Sequence, residues 1–443
     1  MSLPELVDDA ASRRRVWRLA WPVILSSMSI TALGAVDTAV MGHLPDPTYI
    51  GGVAIGATVV NFVYWTMSFL RMGTTGITAQ AHGANDLGEV QAAVRRALLI
   101  AGAIGLCLVP LAPLVFSLAF AELGPSAAVR AHAESYTAIR AWGFPASLGN
   151  MVVLGWLIGL QRTRLALVVQ VAFNALNVVL ALLFVYGFQW GVPGVATATL
   201  IAEWFGLALG LSAIRHVGRQ VGGRAARFFD RTRLFAVARI NFDVFLRSII
   251  LTGAQAHFAL KGAAFGDTVL AANAVLIAIH SVLGQGLDGF AFAAEALVGN
   301  AIGRRDRAAL DRAVRAAFVW AIAVACAFSF AYAGLGYLGV SAITSLDSVR
   351  QVALDFLPWS AAVPFVLVWG YMLDGIFNGA TRTADMRNAM ILSAAVYAGA
   401  IWIFVPLLGN HGLWAAFFAL QAARALSLGA MYPRVARMAG PRA

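Results

Sequence analysis

Asp37 places a carboxyl group deep in the run Leu33–Gly42, inside an apolar stretch long enough to cross a bilayer, with no basic residue within a helical turn. An ionisable group at mid-membrane costs roughly 2.5–3.5 kcal/mol on insertion scales, so it calls for a partner, a cavity or a function. A carboxyl in this position can take up a proton on one side of a membrane and release it on the other. The plainer reading is a carboxyl hydrogen-bonded to neighbouring helices. Asn174 and Asn177, three residues apart, share one helical face, and Thr199 follows in the next span. Their oxygens can satisfy Asp37, coordinate a cation, or simply tie helices together.

The second half of the chain carries further polar groups in apolar runs: His257, Asp288, Glu295 and Asp374. Asp288 and Glu295 lie seven residues apart, two turns along one face. Arg71 sits in the span equivalent to theirs, so a structural or gating ion pair with either acid is expected, against the alternative that these acids line a substrate pathway. His257 is either a coupling group or a satisfied core histidine. Asp243 and Arg247, at i and i+4, read as a local pair.

Positioning such groups requires a membrane scaffold, and composition supplies one. Of 443 residues, 60% are hydrophobic and 12% charged, far too little polar surface for a soluble protein of this length. Apolar runs near the length of a span recur throughout. Twelve are expected, at about 17–42, 50–80, 92–120, 130–158, 164–187, 192–214, 242–262, 266–299, 310–338, 350–377, 388–408 and 412–432. The chain also repeats itself. Gly83, Asp86 and Ala93-Val94-Arg95 match Gly303, Asp306 and Ala313-Val314-Arg315, an offset of 303 − 83 = 220. The same offset relates Gly159-Leu-Gln-Arg-Thr163 to Gly379-Ala-Thr-Arg-Thr383, and Asp37 to His257. Two similar hydrophobic halves with six spans each share one orientation, the pattern of a two-lobed transporter. Pro145 and Pro364, 219 residues apart, are expected inside equivalent fourth and tenth helices, as kinks or hinges.

The net charge of +11 is distributed against nucleic-acid binding. Arginines cluster at 215–239 and in every second loop, while the loops near 44–49, 187–191, 263–267 and 407–411 have none. This alternation places both termini in the cytoplasm. The organisation expected is a cytoplasmic segment 1–16, an N-lobe 17–214, a cytoplasmic linker 215–240, a C-lobe 241–433 and a cytoplasmic tail 434–443. Acidic residues lead the N-terminus and a long run follows, so a cleavable signal is not expected. Cys107 and Cys326 lack metal-ligand spacing and read as small core residues. Trp190 and Trp402 suit an aromatic belt. No nucleophile elbow, zinc motif, P-loop or dinucleotide fingerprint is present, so neither an enzyme nor direct use of ATP is expected.

Ala35-Val-Asp-Thr-Ala-Val-Met-Gly-His43 and Gly191-Val-Pro-Gly-Val-Ala-Thr-Ala-Thr199 resemble the multidrug and toxic compound extrusion (MATE) transporters. Leu287–Gly299 and Leu373–Thr383 resemble the DNA-damage-inducible (DinF) branch of that family. The resemblance spans nearly the whole chain. It implies an all-α fold of twelve transmembrane helices in two six-helix lobes, a V-shaped central cavity, and efflux of organic compounds against inward proton or sodium flow. Carried over, the cation site maps to Asp37, Asn177 and Thr199, with Asn174 beside it. Many relatives have an Asp one turn after the position of Asn177; here Ala181 stands there. Glu203, one turn past Thr199, is another carboxylate, though its reach is not legible in sequence. One carboxyl with amides favours a proton over sodium as the coupling ion. The expectation is therefore a monomeric, multi-pass antiporter of a bacterial inner membrane, free of cofactors and metals. Its substrates would be small organic compounds, cationic or amphipathic. The rival within transport is a flippase for a lipid-linked precursor, disfavoured by a single lysine, Lys261, and few mid-span arginines. The rival of another class is a lipid-modifying membrane enzyme.

Overall fold

The computed structural model of the chain describes residues 3–42, 46, 48–222 and 231–440. His43, Arg224 and Arg227 of the 215–239 cluster, and Arg442 of the expected tail lie outside the described residues. These contain α-helices and one π-helical turn, with no strand. The helices are α1 (Leu3–Gly42), α2 (Thr48–Thr66), α3 (Phe69–Gly83), α4 (Leu87–Leu123), α5 (Ala127–Ala141), α6 (Phe144–Gly159), α7 (Thr163–Leu182), α8 (Gly191–Val221), α9 (Arg231–Ala263), α10 (Asp267–Gly303), α11 (Arg307–Ile343), α12 (Asp347–Gly379), α13 (Thr383–Leu408) and α14 (Asn410–Met438).

Among the described residues, 10 helices are long and apolar enough to cross a membrane, or 11 when α5 and α6 count as one bent span. The remaining long helix, α9, is less apolar because Asp243, Arg247, Gln255 and His257 occupy its middle, and it falls short of the other spans. Large apolar side chains such as Leu106, Leu118, Phe330 and Trp402 are exposed. Surface of that kind suits lipid rather than water. The protein is a multi-pass membrane protein.

The 220-residue repeat survives as geometry. Asn85 and Arg305 both take positive φ, as do Gln161 and Thr381, and Gln189 and Gly409; each pair differs by 220. Such backbone is uncommon for residues other than Gly, so its recurrence marks equivalent turns. Asp86 and Asp306 cap α4 and α11, their Oδ1 atoms accepting from Glu89 N at 2.9 Å and Ala309 N at 2.8 Å. A Cβ added at Gly155 would lie 2.5 Å from Arg71 O, and one at Gly159 2.8 Å from Thr75 O. The equivalents, Gly375 and Gly379, would meet Ala291 O at 2.3 Å and Glu295 O at 2.4 Å. Thus α6 seats on α3 by the same glycine contacts that seat α12 on α10.

Contacts divide the chain into two units: residues 1–24, 83–85 and 236–443, and residues 25–82 with 86–235. In the first, α10, α11 and α12 pack together, α14 lies against α12, and α13 packs on α14. In the second, α2 packs on α5, α4 on α6, α7 on α8, and α8 on α5 and α6. The start of α1 groups with the second half of the chain, which the sequence boundaries do not anticipate.

Two expectations are corrected, and the linker gains detail. The second and fourth spans are broken, at Met67-Ser68 and at Trp142-Gly143, where α5 and α6 meet at 57°. Pro145 is therefore in the first turn of α6, where its missing N–H is harmless, whereas Pro364 lies inside the unbroken α12. The segment 215–240 is helical at both ends, in α8 to Val221 and α9 from Arg231. Cys107 faces outward from α4 rather than sitting in a core.

Candidate coupling site

The break between α5 and α6 creates the site in the second unit. Arg140, in the last turn of α5, and Glu203, on α8, are 4% and 6% exposed. Arg140 Nη2 donates to Glu203 Oε1 at 2.8 Å and to the Tyr64 hydroxyl at 3.2 Å. Tyr64 OH in turn donates to Glu203 Oε1 at 3.1 Å and accepts from Ser147 Oγ at 3.2 Å. Asn150 Nδ2 donates to the Glu203 carbonyl at 2.9 Å, pinning α8 to α6. The second carboxylate oxygen, Glu203 Oε2, lies where a Cβ on Gly143 would come within 2.1 Å. A side chain there would have to push the carboxylate aside, and the start of α6 is where the helix dipole favours a negative charge.

Asp37 is half-buried on α1, within electrostatic reach of Arg140 and Tyr136. Its Oδ1 is buried without a hydrogen-bond partner among the described residues, as are Arg140 Nε and Nη1 and Glu203 Oε2. Asn177 is fully buried on α7, and neither polar atom of its amide has a partner among the described residues. Asn174 Nδ2 donates to Ser29 Oγ at 2.8 Å, which sets α7 beside α1. The Thr199 hydroxyl turns into its own helix, donating to Val195 O at 3.0 Å. Ala181 is fully buried, packed with Phe184 and Ala198. Of the expected set, Asp37 and Asn177 hold unsatisfied polar atoms, while Asn174 and Thr199 are engaged. Sequence reasoning found Glu203 but missed Arg140, whose signal was an arginine inside the fourth hydrophobic run.

In the first unit, the positions 220 beyond Asp37 and Asn177 are His257 and Tyr397, and they touch: His257 Nδ1 lies 3.4 Å from Tyr397 OH, ring on edge. The scaffold thus brings these two positions together, and in this half the result is a satisfied pair. Asp374, on α12, receives both Arg247 from α9 and Arg424 from α14 on its Oδ2. Asp288, half-buried on α10, is within electrostatic reach of both arginines and of Tyr371. Glu295 is fully buried on α10; Arg71, on α3, belongs to the other unit. Two expectations fall here. Arg247 does not pair with Asp243; it reaches Asp374, and Asp243 instead binds Arg387 at 2.5 Å and Thr383 at 3.2 Å. Nor are mid-span arginines scarce: Arg140, Arg247 and Arg424 are all buried.

The MatE family model matches residues 22–183 and 244–403, one segment in each repeat. The chain belongs to the MatE family. It is 40% identical over 426 residues to the DNA damage-inducible protein F of Escherichia coli (strain K12), covering 96% of this chain and 93% of the relative. It is 28% identical over 430 residues to a probable multidrug resistance protein NorM of Bradyrhizobium diazoefficiens, covering 90% and 88%. The bent form of the Vibrio cholerae MATE transporter VcmN superposes with a TM-score of 0.88 at 16% identity, covering 98% of this chain and 99% of that one. The fold is that of a MATE transporter, and the chain stands in the DinF-like branch. MATE proteins are transporters of small organic compounds rather than enzymes.

Proposed function

We propose that this MATE protein is a proton-coupled antiporter that exports small organic, cationic or amphipathic compounds by alternating access. In this reading it works as a monomer in a bacterial inner membrane, with both termini cytoplasmic. The observation that carries it is the state of Asp37: a carboxyl in a membrane-crossing helix with a buried oxygen that no described group satisfies. A proton on Asp37 would supply the missing charge balance, and substrate would bind when it leaves. Sodium is disfavoured because it prefers several oxygen ligands including charge, and the residue one turn past Asn177 is the apolar, fully buried Ala181. Asn177 supports the same reading, since both its polar atoms are open to a water or a proton-bearing group. A flippase for an anionic lipid precursor would need a basic path. Arg247 and Arg424 do not make one, because Asp374 and Asp288 lie against them. The test is efflux from proteoliposomes driven by a pH gradient: Asp37→Asn, which keeps the shape and removes the proton, abolishes it. Efflux at the wild-type rate by that variant would end the proposal.

A further inference from the structure

The Arg140–Glu203 pair is more than a brace between α5 and α8. Its unsatisfied atoms are complementary to those of Asp37. Arg140 Nη2 is occupied by Glu203 Oε1 and Tyr64, but Nε and Nη1 have no well-aligned acceptor among the described residues, the Tyr136 hydroxyl being the weak partner on that side. Asp37 Oδ1 and Glu203 Oε2 are both buried acceptors without donors among those residues. One guanidinium therefore stands among two carboxylates and holds only one of them. A buried donor or acceptor left unpaired is costly, more so when charged, and Val40 and Met41 on α1, one turn past Asp37, pack with Tyr136 on α5, one turn before Arg140, which sets the two unsatisfied groups beside each other.

We propose that Arg140 is the exchangeable counter-ion of the coupling site, held by Glu203 while Asp37 carries a proton and drawn to Asp37 when that proton leaves to water. This rests on the reading of Asp37 as the proton carrier and supplies what that reading lacks, a positive group for the ionised carboxylate. It also gives Glu203 a role. In place of a second carboxylate on α7, the site has one on α8 that competes for the same arginine. The groups facing Arg140 are Asp37 from α1, Tyr64 from α2, Tyr136 from its own helix and Glu203 from α8. The neighbouring α6 contributes the neutral Ser147 and Asn150, and α7 contributes amides. The exchange moves one long side chain between two acids, and the glycine break at 142–143 lies beside it. Release of Glu203 at that break would loosen the junction of α5 and α6. Proton loss would thus act on the bend of the fourth span.

Arg140 is a positioning residue in this scheme, and a spectroscopic signature separates that role from a structural one. Purified protein in nanodiscs is titrated from acid to alkaline pH while the infrared carboxylic C=O stretch is followed. In the wild type one titrating band disappears on Asp37→Asn, identifying it. Glu203→Gln removes the competitor, so Arg140 pairs with Asp37 permanently and the Asp37 band at neutral pH falls about tenfold. The double variant Arg140→Gln/Glu203→Gln, which leaves no unpaired buried charge, restores the band. An Asp37 band unchanged in Glu203→Gln, or one that fails to return in the double variant, overturns the exchange and leaves Asp37 as carrier intact. If no titrating band vanishes in Asp37→Asn, the carrier reading and the exchange both fall. Should Glu203→Gln not fold, Glu203→Asp takes its place, keeping the charge but shortening its reach to Arg140: an Asp37 band weaker at neutral pH than in the wild type supports the exchange, and an unchanged band overturns it.

Discussion

Asp374→Asn is the substitution whose cost the structure sets most firmly. Asp374 Oδ2 is shared by Arg247 and Arg424, with side chains 10%, 6% and 5% exposed. Breaking a buried pair by removing one partner costs about 3–5 kcal/mol. Here one carboxylate separates two guanidiniums, so its loss also leaves like charges adjacent, about 3 kcal/mol more at a spacing near 5 Å and an effective dielectric of about 20. Asp288, within reach of both arginines, offsets part of that. The net loss is about 4–6 kcal/mol. At about 2–4 °C per kcal/mol for a unit of this size, the unfolding midpoint should drop by about 10–20 °C. Tryptophan fluorescence in detergent reads it through the fully buried Trp414. Asp347→Asn is the control, since its partner Arg350 meets a side chain that is 87% exposed and such pairs contribute about 0–1 kcal/mol. Replacing all three groups, Arg247→Met with Asp374→Leu and Arg424→Met, should return most of the stability. If Asp374→Asn unfolds at the temperature of Asp347→Asn, the shared pair does not hold α9, α12 and α14 together. If Asp288→Asn is the more damaging change, the arginines answer to Asp288.

Two further outcomes follow from the same structure. Efflux at fixed pH with and without sodium should agree within error, and Ala181→Asp should introduce a sodium response; a saturable sodium requirement in the wild type refutes the choice of proton. Single cysteines at Asp46, which is exposed before α2, and at Gly222, just after α8, should react with an impermeant thiol reagent from opposite sides of the membrane; labelling of both from one side overturns the orientation.

The long apolar helices and the repeat were legible because hydropathy and turn chemistry are local. Asp86 and Asp306 cap helices in equivalent places, and the motifs around them show it. The breaks at 67–68 and 142–143 were not, because the sequence stays apolar through both and the proline that marks the second acts as a helix starter. Asp37 could be singled out by its type alone. Its surroundings could not, since Arg140 comes from a helix about a hundred residues away in sequence and meets Glu203 only through the packing of α5 on α8. Arg247 shows the same limit. Sequence proximity pointed to Asp243 one turn away, and tertiary packing gave it Asp374 instead, 127 positions along the chain. The glycines at 155, 159, 375 and 379 carried the repeat all along, but their meaning is a backbone approach that a sequence does not display.

Whether protons moving through Asp37 drive transport is read most plainly by counterflow. Proteoliposomes loaded with a pH-sensitive dye, free of sodium, receive an ethidium gradient as the probe substrate. Protons should move opposite to the probe in the wild type and not at all in Asp37→Asn, with the variant still folded by its unfolding midpoint. Equal proton counterflow in Asp37→Asn, or probe flux in the wild type with no proton movement, would contradict that coupling.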